Sequence, residues 1–471
     1  MICIPIVAPT STGALKDMKH ASGIADIIEL RLDFIKNINK KTLKKILSKK
    51  TKKVIITDRK KRKDLIKEAI KLKADFVDLD ISIGEKTIKE IIKKKKQTKI
   101  IISFHNFKKT DKKEIIKKYN QIKKLNPDII KIVTFANSIN DNIIIFNLIK
   151  KAKKENRKII ALCMGKCGEI SRILSPIFGA ELTFGSLKEG KESAPGQITA
   201  NALKNTYRIN KLKNKNPKIF GLVGNPVHQS KGIIFHNRLF NKLNLNNIYL
   251  NFLVEDISSF IKNYKKIISG LSITIPFKSK VINHIDKLDP ITKKIGAINT
   301  VIKKNNKLIG YNTDITGAIK AISSKTKIKG KKVLMVGAGG VARAIGYGII
   351  KEKGKMTILN RTAKKAEKLA RELRCNSNKL SQIKNQKNTD IIINATSVGM
   401  YPNINKTPIK KQTLKKIISK KTVVFDSIYN PEKTKLLKES KQLGCNVIGG
   451  YNMFINQAKE QFKLFTGRGL A

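Results

Sequence analysis

The chain has 471 residues, 41% of them hydrophobic, which suits two or three cores rather than one. No run of about eighteen uncharged apolar residues occurs, so no membrane-spanning helix and no membrane partner are expected. The formal charge of +65, from 99 Lys and Arg against 34 Asp and Glu, is scattered along the whole length in short runs such as Lys93–Lys96 and Lys410–Lys411, with heavy use of Ile and Asn beside it. Scattered charge of this kind points to biased composition rather than to a nucleic-acid stripe, while the net field still favours anionic substrates.

The N-terminal run Met1–Pro9 is short, β-rich and has no basic segment before it, so no leader is expected and the address is read as cytoplasmic. Over the first 200 residues or so, eight β-branched runs recur about every 25 residues, separated by Lys-rich helical stretches. They are Ile2–Ala8, Ile27–Leu32, Val54–Thr57, Phe76–Leu79, Ile100–Ser103, Ile129–Thr134, Ile159–Cys163 and Leu182–Phe184. Eight strands alternating with helices predict a (β/α)8 TIM barrel, whose chemistry belongs at the C-terminal ends of the strands. Those ends carry Glu29 and Arg31 after strand two, Arg59 after strand three, Asp80 after strand four and His105 after strand five. Lys131 lies inside strand six, and Arg172 and the loop Ser193–Gln197 flank strand eight. Burial of Lys131 in its apolar run would lower its pKa and make it a nucleophile toward a carbonyl. His105 can move a proton near neutral pH, and Arg31, Arg59 and Arg172 can hold a carboxylate. Taken singly, a strand lysine is more often an edge residue and a single His more often structural; their convergence on one rim favours function.

A polar linker is expected at 211–218, with Pro217 near its end. A second α/β region opens at Ile219–Val223 and continues through Ile248–Leu253, Leu271–Ile275, Thr300–Lys303 and Lys307–Tyr311. Val333–Val336 then runs into Gly337-Ala-Gly339-Gly340-Val341-Ala342 and a helix, a turn whose glycines let backbone approach a pyrophosphate at a helix N-terminus. The next strand, Met356–Leu359, ends in Asn360-Arg361-Thr362, where an Arg in place of an acidic residue suits the 2′-phosphate of NADP. Upstream, Gly224-Asn-Pro-Val-His-Gln-Ser230-Lys231 follows a strand and can cradle an anion. Lys278 and Asp314 each sit just past a strand, the residue types of an alcohol-oxidising proton pair and equally those of a common surface ion pair. Cys3, Cys163, Cys167, Cys375 and Cys445 are scattered, and the Cys163/Cys167 pair lacks a second Cys/His pair, so free thiols and no metal are expected.

Residues 1 to about 208 resemble type I 3-dehydroquinate dehydratase through Glu29-Leu-Arg31-Leu-Asp33, Ser103-Phe-His105-Asn-Phe107, Ile130-Lys131-Ile-Val133, Ser171-Arg172, Thr183-Phe-Gly185 and Ser193-Ala-Pro-Gly-Gln197. The resemblance implies a lyase in which Lys131 forms a Schiff base with the C3 carbonyl of 3-dehydroquinate. His105 would take a C2 proton and help the C1 hydroxyl leave. Arg172, Ser193 and Gln197 would bind substrate, with Glu29, Arg31 and Arg59 completing the shell, and no metal or cofactor is required. In the family an Arg-x-x-x-Glu-Gly-Gly stretch supplies a Glu that orients the catalytic His. Here the stretch is Arg59-Lys-Lys-Arg-Lys63-Asp64, so Lys63 is expected to face solvent while Asp64 or Glu29, with Glu29 favoured, contacts His105.

Residues 219–471 resemble shikimate dehydrogenase, adding Gly296-Ala-Ile-Asn299-Thr300, Asn394-Ala-Thr396-Ser-Val-Gly399-Met400, Asp426-Ser-Ile-Tyr429-Asn-Pro431 and Gly449-Gly450-Tyr-Asn-Met453 through Gln457-Ala458. This implies an oxidoreductase with Lys278 and Asp314 as catalytic pair and Ser230, Thr274, Asn299, Tyr429 and Gln457 on the substrate. Gly337, Gly339, Gly340, Val341, Ala342, Asn360, Arg361, Thr362, Thr396 and Gly450 would hold NADP. Gly232 stands where the family has a second carboxylate-binding Ser.

The implied architecture is a TIM barrel (1–210), a linker (211–218), a substrate domain (219–326), a Rossmann-like NADP domain (327–445) and a C-terminal segment (446–471) packing back on the substrate domain. The implied activity is bifunctional and belongs to the shikimate pathway of aromatic amino acid biosynthesis, since the product of the first half is the substrate of the second. Two alternatives stand beside it: a quinate/shikimate dehydrogenase with a weakened dehydratase half, and a basic nucleic-acid-binding protein on an enzyme scaffold. Partners are expected to be 3-dehydroquinate, 3-dehydroshikimate and shikimate, with no specific nucleic acid; the sequence leaves oligomeric state open.

Overall fold

The computed structural model describes residues 1–212 and 216–470, so the middle of the expected linker, 213–215, lies outside the described residues. Two compact units form: Met1–Ile219 with Asn237–Lys265, and Phe220–His236 with Lys266–Ala471.

The first unit is built on eight strands: β1 (Ile2–Ile6), β2 (Ile27–Arg31), β3 (Lys53–Thr57), β4 (Phe76–Asp80), β5 (Lys99–His105), β6 (Ile129–Phe135), β7 (Ile159–Met164) and β8 (Thr183–Phe184). They run in the order β7-β6-β5-β4-β3-β2-β1-β8, and every registered pair is parallel. Glu181 N–H donates to Ile159 O at 2.9 Å, bridging the remaining gap and nearly closing the barrel. All eight strands fall where β-branched runs predict them. The Lys-rich stretches between them are amphipathic helices with a buried stripe and a solvated lysine face. In Lys40–Leu47 the stripe is Leu43, Ile46 and Leu47, and the Asn39 side chain caps the first turn by accepting from Thr42 N–H.

Strand alternation decides what enters the barrel. Cys3, Ile27, Ile55, Phe76, Ile101, Ile129, Ile160 and Leu182 share one interior cluster. Stepping by two toward the C-terminal ends keeps the same face and reaches Glu29, Arg31, Thr57, Asp78, Asp80, Ser103, His105 and Lys131. An apolar floor thus underlies a polar rim, as the barrel reading requires.

In the second unit, Ile268–Ile273 pairs antiparallel with Thr300–Lys304, which pairs antiparallel with Lys307–Tyr311, and the last pairs parallel with Lys287–Leu288. A separate parallel sheet follows in the order Asn376–Lys379, Lys355–Asn360, Lys332–Val336, Thr389–Asn394, Ile418–Asp426, Asn446–Ile448. Lys332–Val336, the first of these strands in sequence, lies in the middle, so the order in which strands are added reverses between it and Thr389–Asn394 while the strands stay parallel. That switch point is where a doubly wound sheet opens a ligand crevice. Helices cover both faces, Gly340–Lys351 and Ala363–Leu373 on one and Lys411–Ile417 and Lys435–Gln442 on the other. The C-terminal helix Gly450–Thr466 packs on Asp314–Ser323 and touches Ile268–Ile273 and Thr300–Lys304. No helix among the described residues is long and apolar enough to cross a membrane.

Candidate active sites

Lys131 is 4% exposed and sits in the middle of β6. Its Nζ lies 2.7 Å from Asp78 Oδ2 and 3.4 Å from Glu29 Oε1, with the Phe184 ring centroid 4.5 Å away. Thr57 Oγ1 donates to the same Glu29 oxygen at 2.8 Å. The apolar run around Lys131 therefore hides two carboxylates that reach it from β2 and β4. Burial alone would raise Asp78, but Lys131 and Arg59 outweigh it and hold the carboxyl well below its ordinary range.

Arg59, just past β3, ties the rim together. Its guanidinium donates to Asp80 Oδ2 (3.2 Å), Ser103 Oγ (3.1 Å), Asp78 Oδ2 (3.3 Å) and His105 Nε2 (3.0 Å). His105 ends β5 with Nδ1 3.4 Å from Asp80 Oδ2. Burial, reinforced by the charges of Arg59 and Lys131 and opposed by Asp80, pulls the imidazole down to about 4. It is therefore neutral at pH 7 and able to accept a proton.

The expectation that Glu29 or Asp64 contacts His105 is overturned. Glu29 bonds Thr57 and faces Lys131, and Asp64 is exposed on the first turn of helix Lys63–Lys71. Lys63 is exposed, as expected. Asp80, which shares the interior face with Asp78, occupies the position beside the imidazole. Arg31 turns from the cluster to a two-point contact with Asp33, at 3.0 and 2.7 Å. Arg172 is 1% exposed, donates to Pro195 O at 3.2 Å, and its Nε has no hydrogen-bond partner among the described residues. Burial pulls its pKa down to about 10. Gln197 Oε1 accepts from Ser193 N–H at 2.7 Å, while Gln197 Nε2 is buried without a partner among the described residues. The loop passes so close to β7 that a side chain on Gly196, at φ +72°, would begin 2.2 Å from Gly165 O; only glycine fits there.

In the second unit Lys278 Nζ contacts Asp314 Oδ2. Asn299 Nδ2 donates to Asp314 Oδ1 (2.9 Å), Thr313 Oγ1 (2.9 Å) and Gln457 Oε1 (3.3 Å), and Asn299 Oδ1 accepts from Thr313 N–H at 2.8 Å. Tyr429 is half-buried beside Ser230; burial raises its hydroxyl pKa and Ser230 opposes the rise. Ser230 Oγ also accepts from Gly232 N–H at 3.1 Å. Thr274 lies one residue beyond its strand, which ends at Ile273 rather than at Ile275.

The glycine turn leads straight from this site to the parallel sheet. A Cβ on Gly340 would lie 3.1 Å from Lys278 Cβ, whereas one on Gly339, which caps helix Gly340–Lys351, would meet nothing within 4 Å. Gly337, at φ +120°, presses against Ala395 O, beside Thr396 at the end of the adjoining strand. Open space, a helix N-terminus and the sheet's switch point coincide, which fits a dinucleotide pyrophosphate. Ala342 is fully buried, Val341 is partly buried, and Arg361 and Thr362 are exposed at the tip of the second strand, with Asn360 Nδ2 bonded to Thr362 O at 3.0 Å. Gly450 is buried against Ser427 O and Ile428.

Sequence reasoning assigned no role to Asp78, Ser103, Thr313 or Asp426. Asp426, raised to about 6 by burial, accepts from Thr434 Oγ1 (2.7 Å), Ile428 N–H (3.0 Å) and Asn394 Nδ2 (3.0 Å), closing the turn that carries Tyr429. A usable signal existed for Asp78 and Asp80: acidic residues two apart in a strand face one way. All five cysteines are free, Cys3, Cys163 and Cys445 buried and Cys167 and Cys375 partly so, and no metal-binding group occurs among the described residues.

A buried-lysine barrel joined to a two-domain α/β unit with a nucleotide turn defines a fused lyase and dehydrogenase. The chain matches the family models for type I 3-dehydroquinase over residues 2–214, for the shikimate dehydrogenase substrate binding domain over 222–301, and for shikimate/quinate 5-dehydrogenase over 319–439. It is 36% identical to a bifunctional 3-dehydroquinate dehydratase/shikimate dehydrogenase, chloroplastic, of Arabidopsis thaliana, across 99% of this chain and 82% of that one. It is 30% identical to the shikimate biosynthesis protein AroDE of Chlamydia pneumoniae, across 99% and 95%. A solved shikimate dehydrogenase in complex with NADP+ covers 54% of this chain and 92% of its own, at 37% identity and a TM-score of 0.50. The chain belongs to the bifunctional 3-dehydroquinate dehydratase/shikimate dehydrogenase family.

Proposed function

We propose that the barrel dehydrates 3-dehydroquinate to 3-dehydroshikimate and that the second unit reduces this product to shikimate with NADPH. The observation that carries the reading is Lys131, buried in the polar layer above the apolar floor, with a neutral His105 at the end of the adjacent strand. Lys131 Nζ adds to the C3 ketone and expels water, giving an iminium that keeps the positive charge of the ammonium it replaces. Asp78 and Glu29 therefore face a cation before and after. His105 removes a C2 proton, the electron pair shifts into the iminium, and its return expels the C1 hydroxyl, which leaves as water with the proton from His105. A second water then adds to C3 of the product iminium, releasing the ketone and freeing Lys131. Arg172, Ser193 and Gln197 hold the carboxylate and hydroxyls, two of them offering buried donors that lack a protein partner among the described residues.

Bound along the Gly337–Ala342 turn, NADPH would supply the hydride. Lys278 gives the carbonyl oxygen its proton, Asp314 and Asn299 fix that ammonium, and Ser230, Thr274, Tyr429 and Gln457 orient the substrate. A coupled assay tests the whole reading: 3-dehydroquinate and NADPH should give shikimate with matching NADPH loss, and absence of either step would refute it.

Exposed Arg361 is the residue we assign to the 2′-phosphate. Arg361→Ala should weaken NADPH about ten- to a hundredfold and spare NADH, since a hydrogen bond to a charged group contributes about 1.5–3 kcal/mol. Equal use of both cofactors by the parent enzyme would contradict the assignment.

We further propose the domain limits 1–210, 219–326 and 327–445, with 446–471 returning to the substrate domain, a cytoplasmic address and no sequence-specific nucleic-acid partner. Separate expression of the pieces either side of 213–215 should leave each with its own reaction, because each site's residues lie on one side of the cut. The barrel piece should lose about 1.5–4.5 kcal/mol of stability, read by urea unfolding. It forfeits Tyr264 Oη to Ile139 O (2.6 Å), Asn140 Nδ2 to Ser259 Oγ (2.8 Å) and Arg208 to Asn241 Oδ1 (2.8 Å), each worth about 0.5–1.5 kcal/mol. Unchanged stability would show that these bonds contribute nothing.

A further inference from the structure

Three carboxylates approach the His105–Lys131 cluster, and their existing bonds separate their roles. Glu29 Oε1 accepts from Thr57 and lies beside Lys131. Asp78 Oδ2 is shared between Lys131 and Arg59. Asp80 is left. Its Oδ1 accepts from both Ser82 N–H (3.0 Å) and Ser82 Oγ, which fixes the carboxylate plane, and its Oδ2 lies 3.4 Å from His105 Nδ1 and 3.2 Å from Arg59.

The tautomer follows from Arg59. A guanidinium only donates, so His105 Nε2, 3.0 Å from it, must be the accepting nitrogen, and the ring proton sits on Nδ1, toward Asp80. We propose that Asp80 is the positioning residue of the dehydratase: it holds His105 with its proton on Nδ1, leaves Nε2 as the atom that takes the C2 proton, and stabilises the imidazolium that results. This rests on the dehydratase reading above. The Nδ1–Asp80 separation is long for a full hydrogen bond and shortens as the ring becomes charged, when the carboxylate's attraction is greatest. Arg59 must leave Nε2 for that proton to arrive, and a carboxylate substrate gives its guanidinium a new partner.

The groups facing the ring are Asp80 and Asp78 from β4, Arg59 from the end of β3 and Lys131 from β6. The two cations oppose protonation and Asp80 favours it. Replacing Asp80 by Asn removes the favouring charge, so the acid limb of dehydratase kcat/KM should move to lower pH than in the parent. In the same variant kcat should fall about a hundredfold or more, the scale of acid–base assistance, with KM changed by a smaller factor.

The experiment uses the full-length chain and compares parent, Asp80→Asn and Asp80→Glu. Readouts are dehydratase kcat, KM and pH profile, borohydride trapping of 3-dehydroquinate on Lys131, and shikimate oxidation as an internal check of folding. Expected for Asp80→Asn are retained trapping and shikimate oxidation, a lowered kcat and a shifted acid limb; Asp80→Glu should recover at least part of the rate. An unmoved limb with kcat within about threefold of the parent would overturn the role of Asp80 alone. A rise in KM at unchanged kcat would also overturn it, since Asp80 would then act through Arg59 on binding. A parent chain that neither dehydrates 3-dehydroquinate nor traps it would overturn this inference and the dehydratase reading together.

Discussion

Lys131→Ala should abolish dehydration of 3-dehydroquinate while leaving shikimate oxidation at its parent rate. The effect is expected to be complete within assay background because no second amine can substitute. Nζ is held by carboxylates from two other strands, and among the interior-face polar residues in the C-terminal portions of β2 through β6 (Glu29, Arg31, Thr57, Asp78, Asp80, Ser103, His105 and Lys131) Lys131 is the only lysine. Borohydride added with substrate should place the adduct on the peptide containing Lys131 and nowhere else. Truncation also leaves Asp78 and Glu29 facing each other without their shared cation, in a site where unpaired buried charge is costly. Some loss of barrel stability is therefore expected beside the loss of rate, and Lys131→Met, which keeps the volume, should lose the rate equally. Dehydration surviving in either variant, or an adduct on a different lysine, would remove Lys131 from the mechanism.

The barrel was legible because its signal repeats. Eight β-branched runs at steady spacing leave few alternatives, and the polar residues at their ends share the interior face by simple alternation. Lys131 and His105 are legible in that pattern. The partner of His105 is not, because the family position for it falls in the Arg59–Asp64 stretch, where Lys63 and Asp64 belong to the exposed first turn of a helix. Asp80 is contributed by the neighbouring strand, a contact across a sheet that no local spacing encodes. The same limit hides contacts such as Tyr264 Oη to Ile139 O, 125 residues apart in sequence. The nucleotide turn was legible in its glycines, yet its approach to Lys278 appears only in three dimensions.

Lys278→Ala should lower kcat for shikimate oxidation about 10²- to 10⁴-fold, the range of general acid–base assistance, with KM changed only a few-fold. The geometry separates Lys278 from its partner. Asp314 is nearly fully buried and both its oxygens are engaged, Oδ2 by Lys278 and Oδ1 by Asn299 at 2.9 Å. Asn299 is itself pinned by Thr313 N–H, Thr300 Oγ1 and Gln457, so the carboxylate has little freedom to move toward a substrate. An ammonium carries three donors, and one directed at Asp314 leaves two for a hydroxyl or carbonyl oxygen. Lys278 is thus the group placed to pass the proton, and Asp314 the group that aims it. Asp314→Asn should cost less in kcat than Lys278→Ala, because an amide oxygen still accepts from the ammonium. Lys278→Arg should not recover the rate, since a guanidinium stays protonated throughout and cannot take the hydroxyl proton. Dehydratase turnover on the same chain should be unchanged in all three variants. If Lys278→Ala raises KM and leaves kcat intact, the lysine binds substrate without moving its proton, and the proton path must run through another group.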